Sequence, residues 1–254
     1  MRSIIRRCVF FLFAVSAFSV CHSQSLNGPQ LFHKMQTALG GAETIASVRD
    51  FEQIVHADSW LDDGTPRGAV VRKRVRFVRP HYLRIDQTGP GDTYVLYCDG
   101  TSGWEILPDG TVSELAGGEL QSAQGYLQSL NLNFWLADRD PSRVITSSGY
   151  SVIVTSPKGN RPEKIEIALD PVTFLPLKQS EILHAGSDHP VHQELRFEQW
   201  EASGGVKFPK RISNFHDGSK RAVITADLTR LNSGIKPSDL ANKPADLRPV
   251  MSGP

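Results

Sequence analysis

The sequence predicts an α+β fold in which a curved antiparallel sheet wraps around helices, and three observations predict it. Two long series of strand-like segments, Asp50 to Leu115 and Lys164 to Asn232, carry apolar–polar alternation and are cut by turn-forming residues at hairpin intervals. Between them, Gly117 to Ala137 switches to helical spacing. A shorter amphipathic helical segment precedes both series. A sheet with one apolar face must hide it, and the two helical segments are its natural cover.

The chain starts with a targeting signal in this reading. Arg2, Arg6 and Arg7 form a basic lead, Cys8 to Val20 is an apolar run too short to span a membrane, and Cys21-His22-Ser23 ends on a small residue. Cleavage after Ser23 is expected, for export to the periplasm. The competing reading is a lipid anchor at Cys21, with Val20 bulkier than the residue such a site normally takes. Cleavage removes three arginines and no acid. The balance then moves from 28 bases against 27 acids to 25 against 27, a slightly acidic chain without the basic stripe that nucleic acid requires. Of three cysteines only Cys98 then remains, so no intrachain disulfide braces the fold. Residues 24–254 suffice for one core-forming domain, with a Pro-rich, weakly patterned tail from about residue 233.

Asn27-Gly28-Pro29 sets a helix start, and Leu31, Met35, Ala38 and Leu39 recur on one face until Gly40-Gly41 ends it. This face either packs in the core or forms a lid over an apolar cavity. A brief helical turn from Ala42 to Val48 leads into the first strand series. There Val71, Val75 and Phe77 alternate with Arg72, Arg74 and Arg76. Two readings of these arginines stand: a solvated outer face paired with neighbouring acids, or a contact for anionic headgroups. In the middle segment Leu120, Ala123, Leu127, Leu130 and Phe134 share a face, predicting one helix from Gly117 to Ala137. In the second series Leu195 and Phe197 oppose Glu194, Arg196 and Glu198.

Chemistry-bearing patterns are few. The sequence lacks a nucleophile elbow, a zinc-binding His-Glu pattern, a Gly-rich phosphate loop and a Cys pair at redox spacing. His184, His189 and His192 surround a turn and read as loop histidines, while Asp62-Asp63 and Asp138/Asp140 read as turn caps. Cys98 reads as a buried, inert thiol. No catalytic residue, metal or cofactor is predicted. The aromatic residues are spread one or two to a strand, so they either fill a core or line an unfilled concavity of the kind that holds lipid-like ligands. The candidate lining residues are Leu31, Met35, Trp60, Phe77, Trp104, Leu127, Leu130, Phe134 and Phe197.

The order of these segments resembles the bacterial periplasmic LolA/LolB-like outer-membrane lipoprotein-sorting carriers, from about Leu31 to Leu231. The resemblance is carried by ALGGAETIASVRDFE, by RPHYLRIDQT followed by YVLYCDGTSGWEI, by ALDPVTFLPLK and by GGVKFPKRI. It implies an incomplete β-barrel of about eleven strands, helices plugging the open side, and a cavity for lipid or lipoprotein acyl chains. It also implies no enzyme activity, membrane-associated donor and acceptor proteins as partners, and a monomer. An arginine near the cavity holds the lid closed in the family's best-known members; Arg79 and Arg84 are the nearest matching positions, and Arg84 joins the candidate lining. Two other classes stay open on the residues alone: an envelope scaffold protein with a filled core, and a hydrolase with an unrecognised site.

Overall fold

The computed structural model describes residues 26–89, 93–156, 163–183 and 190–251. The expected signal with Cys21 and Ser23, and His184 and His189, lie outside the described residues.

All strands of the described residues join one antiparallel sheet. In chain order they are β1 Asp50–Ser59, β2 Val71–Val78, β3 Tyr82–Thr88, β4 Tyr94–Cys98, β5 Gly103–Ile106, β6 Val112–Glu114, β7 Val144–Ser148, β8 Ser151–Ser156, β9 Glu163–Leu169, β10 Pro176–Leu183, β11 Val191–Ser203, β12 Val206–His216 and β13 Ser219–Leu231. Spatially the order is β6-β5-β4-β3-β2-β1-β13-β12-β11-β10-β9-β8-β7. Among the described residues the sheet has thirteen strands where the resemblance implies about eleven, and it is not closed into a barrel, in keeping with the incomplete barrel expected. The segment 143–156 contributes two of them as a hairpin, turning at Gly149 with φ +57°.

This order places the two series side by side, joined where β1 pairs β13, with Phe51 opposite Leu231. It also puts β6 and β7, neighbours in sequence, at opposite edges of the sheet. The segment between them must therefore cross the open side, where the sequence places its helical cover. That cover is not one helix. α3 (Gly117–Ser129) ends at Leu130, whose extended backbone (φ −53°, ψ 128°) starts α4 (Asn131–Phe134), followed by a 3₁₀ turn at Ala137–Arg139. The Asn133 side chain donates to the Leu127 carbonyl (2.8 Å), capturing a backbone acceptor that the break leaves open.

α1 (Gly28–Ala38) starts as its sequence predicts: Asn27 accepts from Gln30 N (3.0 Å), and the Gln30 side chain accepts from Asn27 N (3.1 Å). Leu31, Phe32, Met35 and Leu39 are fully buried against the sheet. Glycine sets both ends of its seat. A Cβ on Gly28 would strike the Thr146 backbone of β7, and one on Gly40 the Gly205 carbonyl in the β11–β12 turn. Gln36, also buried, donates to the Trp135 carbonyl (2.9 Å) and to Asp138 Oδ1 (2.8 Å), tying α1 to the crossing segment.

The convex face of β2–β5 is also covered. Residues 233–251 form a strap over it. Asp50 fixes its start by accepting from Ser233 N and Oγ (2.7 and 2.9 Å) and Gly234 N (3.0 Å). α5 (Pro237–Ala241) follows and buries Leu240 among Val78, Val95, Tyr97, Trp104 and Ile106. Farther on, Val250 N donates to Asp86 Oδ1 (2.9 Å). Arg74 and Arg76 therefore lie in neither of the settings expected for them. They pair with acids, but under cover: Arg74 with Glu52 (2.5 Å) and Arg76 with Asp86 (2.6 Å), all four buried. Arg72 alone of the three is exposed. The tail is a structural layer of the domain, and a headgroup contact for Arg74 and Arg76 is sterically closed.

Candidate functional site: a cavity on the concave face

The two helical covers lie against the flanks of the concave face, α1 on β7–β8 and α3 on β4. Over the central strands a cavity of about 540 Å³ remains open. The register makes its wall. Phe51, Gln53, Val55, Ala57 and Ser59 succeed one another along β1, facing the cavity at every second position, as do Val71, Lys73, Val75 and Phe77 on β2. From the opposite side come Gln179 and Glu181 of β10, Gln193 and Leu195 of β11, and Phe208, Ile212 and Asn214 of β12. The crossing segment supplies Tyr126, Leu130, Asn131 and Leu132.

The cavity is graded. At one end Phe51 packs on Phe208 (5.5 Å between ring centres), and Phe208 on Trp135 of the crossing segment (5.5 Å). Phe77, opposite Phe51 in the register, and Leu132 complete this apolar floor. Toward the other end the wall turns polar, with Gln193, whose amide donates to Asn214 Oδ1 (3.4 Å), beside Glu181 in the register. Tyr126 is 42% exposed, yet burial pushes its hydroxyl up to about 12. Desolvation disfavours the phenolate, so Tyr126 stays a neutral phenol in the cavity wall.

Arg79 holds the cover. It donates to the Val48 (2.8 Å), Leu132 (2.9 Å) and Ile45 (3.3 Å) carbonyls and to Asn133 Oδ1 (3.1 Å). It thus joins α4 to the end of α2 (Ala42–Ala46) beside β1. Burial, and then the nearby Arg139 charge, lower its pKa from the ordinary arginine value. Arg84 is not an equivalent. It stands on the convex face, with Nη2 on Asp86 Oδ1 (2.9 Å), Nε on Asp86 Oδ2 (2.9 Å), and Nη1 donating to the Leu240 and Asn242 carbonyls of the strap.

The other expected lining residues separate by face. Phe77 and Leu130 are in the cavity wall. Leu31, Met35, Leu127 and Phe134 are buried in the core between helices and sheet, outside the wall. Phe197 sits opposite Ile212 and packs against Trp200 (5.9 Å). Trp104 is convex, opposite Tyr97 and beneath Lys243 of the strap (5.4 Å), so it has no access to the cavity. Trp60, in a bridge to Pro66 with Lys220 over its ring (5.5 Å), is also outside the wall. The amides Gln53, Gln179, Gln193 and Asn214 were not among the expected residues. Their signal was parity: each occupies a position on the apolar face of its strand, as Gln193 does two residues before Leu195.

Among the described residues no group of three or more His, Cys, Asp or Glu side chains is placed to hold a metal. The His–carboxylate pairs His56–Asp227 (2.8 Å) and His33–Asp138 (3.5 Å) lie outside the cavity wall. Cys98 is buried, and that burial pushes its thiol up, away from the reactive thiolate.

The architecture matches solved structures. A domain assigned to outer membrane lipoprotein sorting from Vibrio parahaemolyticus superposes with a TM-score of 0.54 at 12% identity, covering 84% of this chain and 95% of that one. A LolA superfamily protein from Nitrosomonas europaea gives 0.54 at 15% identity, covering 82% and 97%. A DUF1329 family protein from Desulfovibrio piger gives 0.51 at 14% identity, covering 81% and 93%. No family model and no curated protein matches the sequence. The fold is thus LolA-like: an open antiparallel barrel with helices across its open side.

Proposed function

We propose that the protein is a non-enzymatic carrier that holds the acyl chain of a lipid or lipoprotein in the concave cavity. It would act in the periplasm, after removal of the signal near Ser23, between membrane-associated donor and acceptor proteins. The observation that carries this reading is the 540 Å³ cavity with an aromatic floor, left open between sheet and helices. A scaffold protein would fill that space with its own side chains. A hydrolase would bring a His and a carboxylate together in it, and the two His–carboxylate pairs described above lie elsewhere. Binding would be driven by removing apolar surface from water, at roughly 25 cal/mol per Å² before the cost of ordering.

Release requires the cavity to change, and the crossing segment is the part built to move. Its helices are short, it breaks at Leu130, and Arg79 fastens it through α4. The test is direct. Organic extraction of the purified protein followed by mass spectrometry is expected to recover acyl species, and a fluorescent fatty acid is expected to bind saturably. Recovery of none, with no saturable binding, refutes the carrier.

A further inference from the structure

The composition of the cavity wall constrains what it carries. This inference rests on the carrier reading and specifies its ligand. At about 540 Å³ the cavity falls within the roughly 300–1,000 Å³ of pockets that enclose a single small-molecule ligand, which suits one acyl chain with its head better than a bundle of two or three.

The wall is mostly apolar but carries a few placed polar groups. Gln53, Gln179, Gln193 and Asn214 present amides from four strands, all on the inward face. An amide both donates and accepts, and beyond the bonds within the wall, Gln193 to Asn214 and Gln53 to Thr229, its remaining capacity favours a hydrogen-bonding group over a methylene chain. The apolar floor at Phe51, Phe77 and Phe208 lacks this problem. Along β12 the wall runs from Phe208 through Ile212 to Asn214, and along β11 from Leu195 to Gln193, so polarity rises from floor to mouth on this side, while Val55, Ala57 and Val71 keep the β1–β2 side largely apolar. Charge at the mouth is mixed: Arg67 and Lys73 belong to one wall and Glu181 to the other. A head of either sign meets a like charge on one wall and an opposite one on the other, whereas a neutral, hydrogen-bonding head is positioned by the amides.

We infer that the cavity takes a single-chain amphiphile with a neutral, hydroxyl- or amide-bearing head, inserted chain first. The chain end lies on the Phe51–Phe208 floor and the head lies among Gln193, Asn214 and Gln179.

Displacement of an environment-sensitive dye from the full chain tests this, using 1-monohexadecanoylglycerol, hexadecanoate, dihexadecanoylglycerol and hexadecane. The monoacylglycerol is expected to bind about tenfold or more tightly than the two-chain lipid, and more tightly than hexadecanoate. In the Q193L/N214L variant its affinity should fall about tenfold while that for hexadecane holds or rises. Equal or tighter binding of dihexadecanoylglycerol, tighter binding of hexadecanoate, or a variant that binds the monoacylglycerol unchanged would overturn the inference and leave the carrier standing. Binding of none of the four, with no extractable lipid, defeats the carrier reading itself. If circular dichroism shows the double variant misfolded, the ligand series on the unaltered protein still decides.

Discussion

The two faces of one sheet have been finished in opposite ways. The convex face of β2–β5 is covered by the chain itself. Three arginines and three acids, Asp50, Glu52 and Asp86, lie buried beneath a strap from the C-terminal tail, with Leu240 wholly out of water. On the concave face of the central strands, aromatic and amide side chains border open space. Polar groups on the first face are held by protein partners; many on the second face a cavity large enough for a ligand. The contrast separates what holds the molecule together from what it is available to do, because buried charge without a partner is costly whereas polar groups at a solvated wall are not.

The largest effect is expected from removing the strap. Deleting residues 233–254 uncovers Val78, Val95, Tyr97 and Ile106 and strips Arg84 and Asp86 of backbone partners. A loss above about 5 kcal/mol is expected from the exposed apolar area and broken charge network together, measured as urea stability and dye-detected exposed hydrophobic surface. A truncated chain of nearly full stability would mean that the convex face does not depend on its cover.

Next comes Asp86→Asn. Asp86 is fully buried and bonded to Arg84, Arg76 and Val250 N. Burial pushes its carboxyl up, but the Arg84 hydrogen bonds and charge, then Val250 and Arg76, outweigh it and hold the group below its ordinary range. Replacing it leaves arginines buried without compensation, at a cost of about 3–5 kcal/mol. The pH dependence has a fixed sign. A depressed folded value makes this stability complete above the unfolded carboxylate value of about 4 and lost as pH falls through the lower folded value. Acid titration of stability should therefore be flatter in Asp86→Asn than in the unaltered protein.

Arg79→Ala should be milder, because the carbonyls it leaves at Ile45, Val48 and Leu132 can be hydrated once α4 loosens. About 2 kcal/mol is expected for charged hydrogen bonds of this kind. Amide exchange should accelerate at α4 more than in β1 or β13, with faster release of a bound acyl probe. Uniform acceleration would make Arg79 an ordinary core residue rather than the fastening of the cover.

Much of the sheet was legible because period-2 alternation and turn residues are local. The strands on either side of Asp99-Gly100 and Asp109-Gly110 pair as hairpins. The alternation at Val71–Phe77 also assigned the arginines correctly to the face opposite Phe77. It could not show their burial, since Val250, which caps Asp86, lies 164 residues away. The Leu130 break was hidden for a related reason. Apolar spacing from Leu120 to Phe134 suits a continuous helix, and the interruption is stabilised by a distant residue, Arg79, bonding across to Leu132 and Asn133. Of the site, the aromatic floor was partly visible at Phe77, while Trp104 and Arg84 were placed on the wrong face. Aromatic residues occur on both faces, and only parity relative to a covered neighbour distinguishes them. The amides were overlooked because a glutamine is expected to be solvated, and its position among inward-facing residues was the only cue.

The smallest expected effect probes the concave face directly. Gln53 lies between Phe51 and Val55 in the wall, with its amide donating to Thr229 Oγ1 (3.2 Å). In a water-filled cavity, Gln53→Leu exchanges one weak hydrogen bond for apolar surface that stays wet, and stability should move by less than about 0.5 kcal/mol. Were the cavity to collapse and dry in solution, the leucine would be packed instead and the variant would gain about 1.5 kcal/mol or more. Urea denaturation with and without bound acyl probe separates these outcomes. A change near zero without ligand, becoming a gain only when the probe is bound, is the result that keeps the two faces distinct: one stabilised by its own chain, the other completed by what it carries.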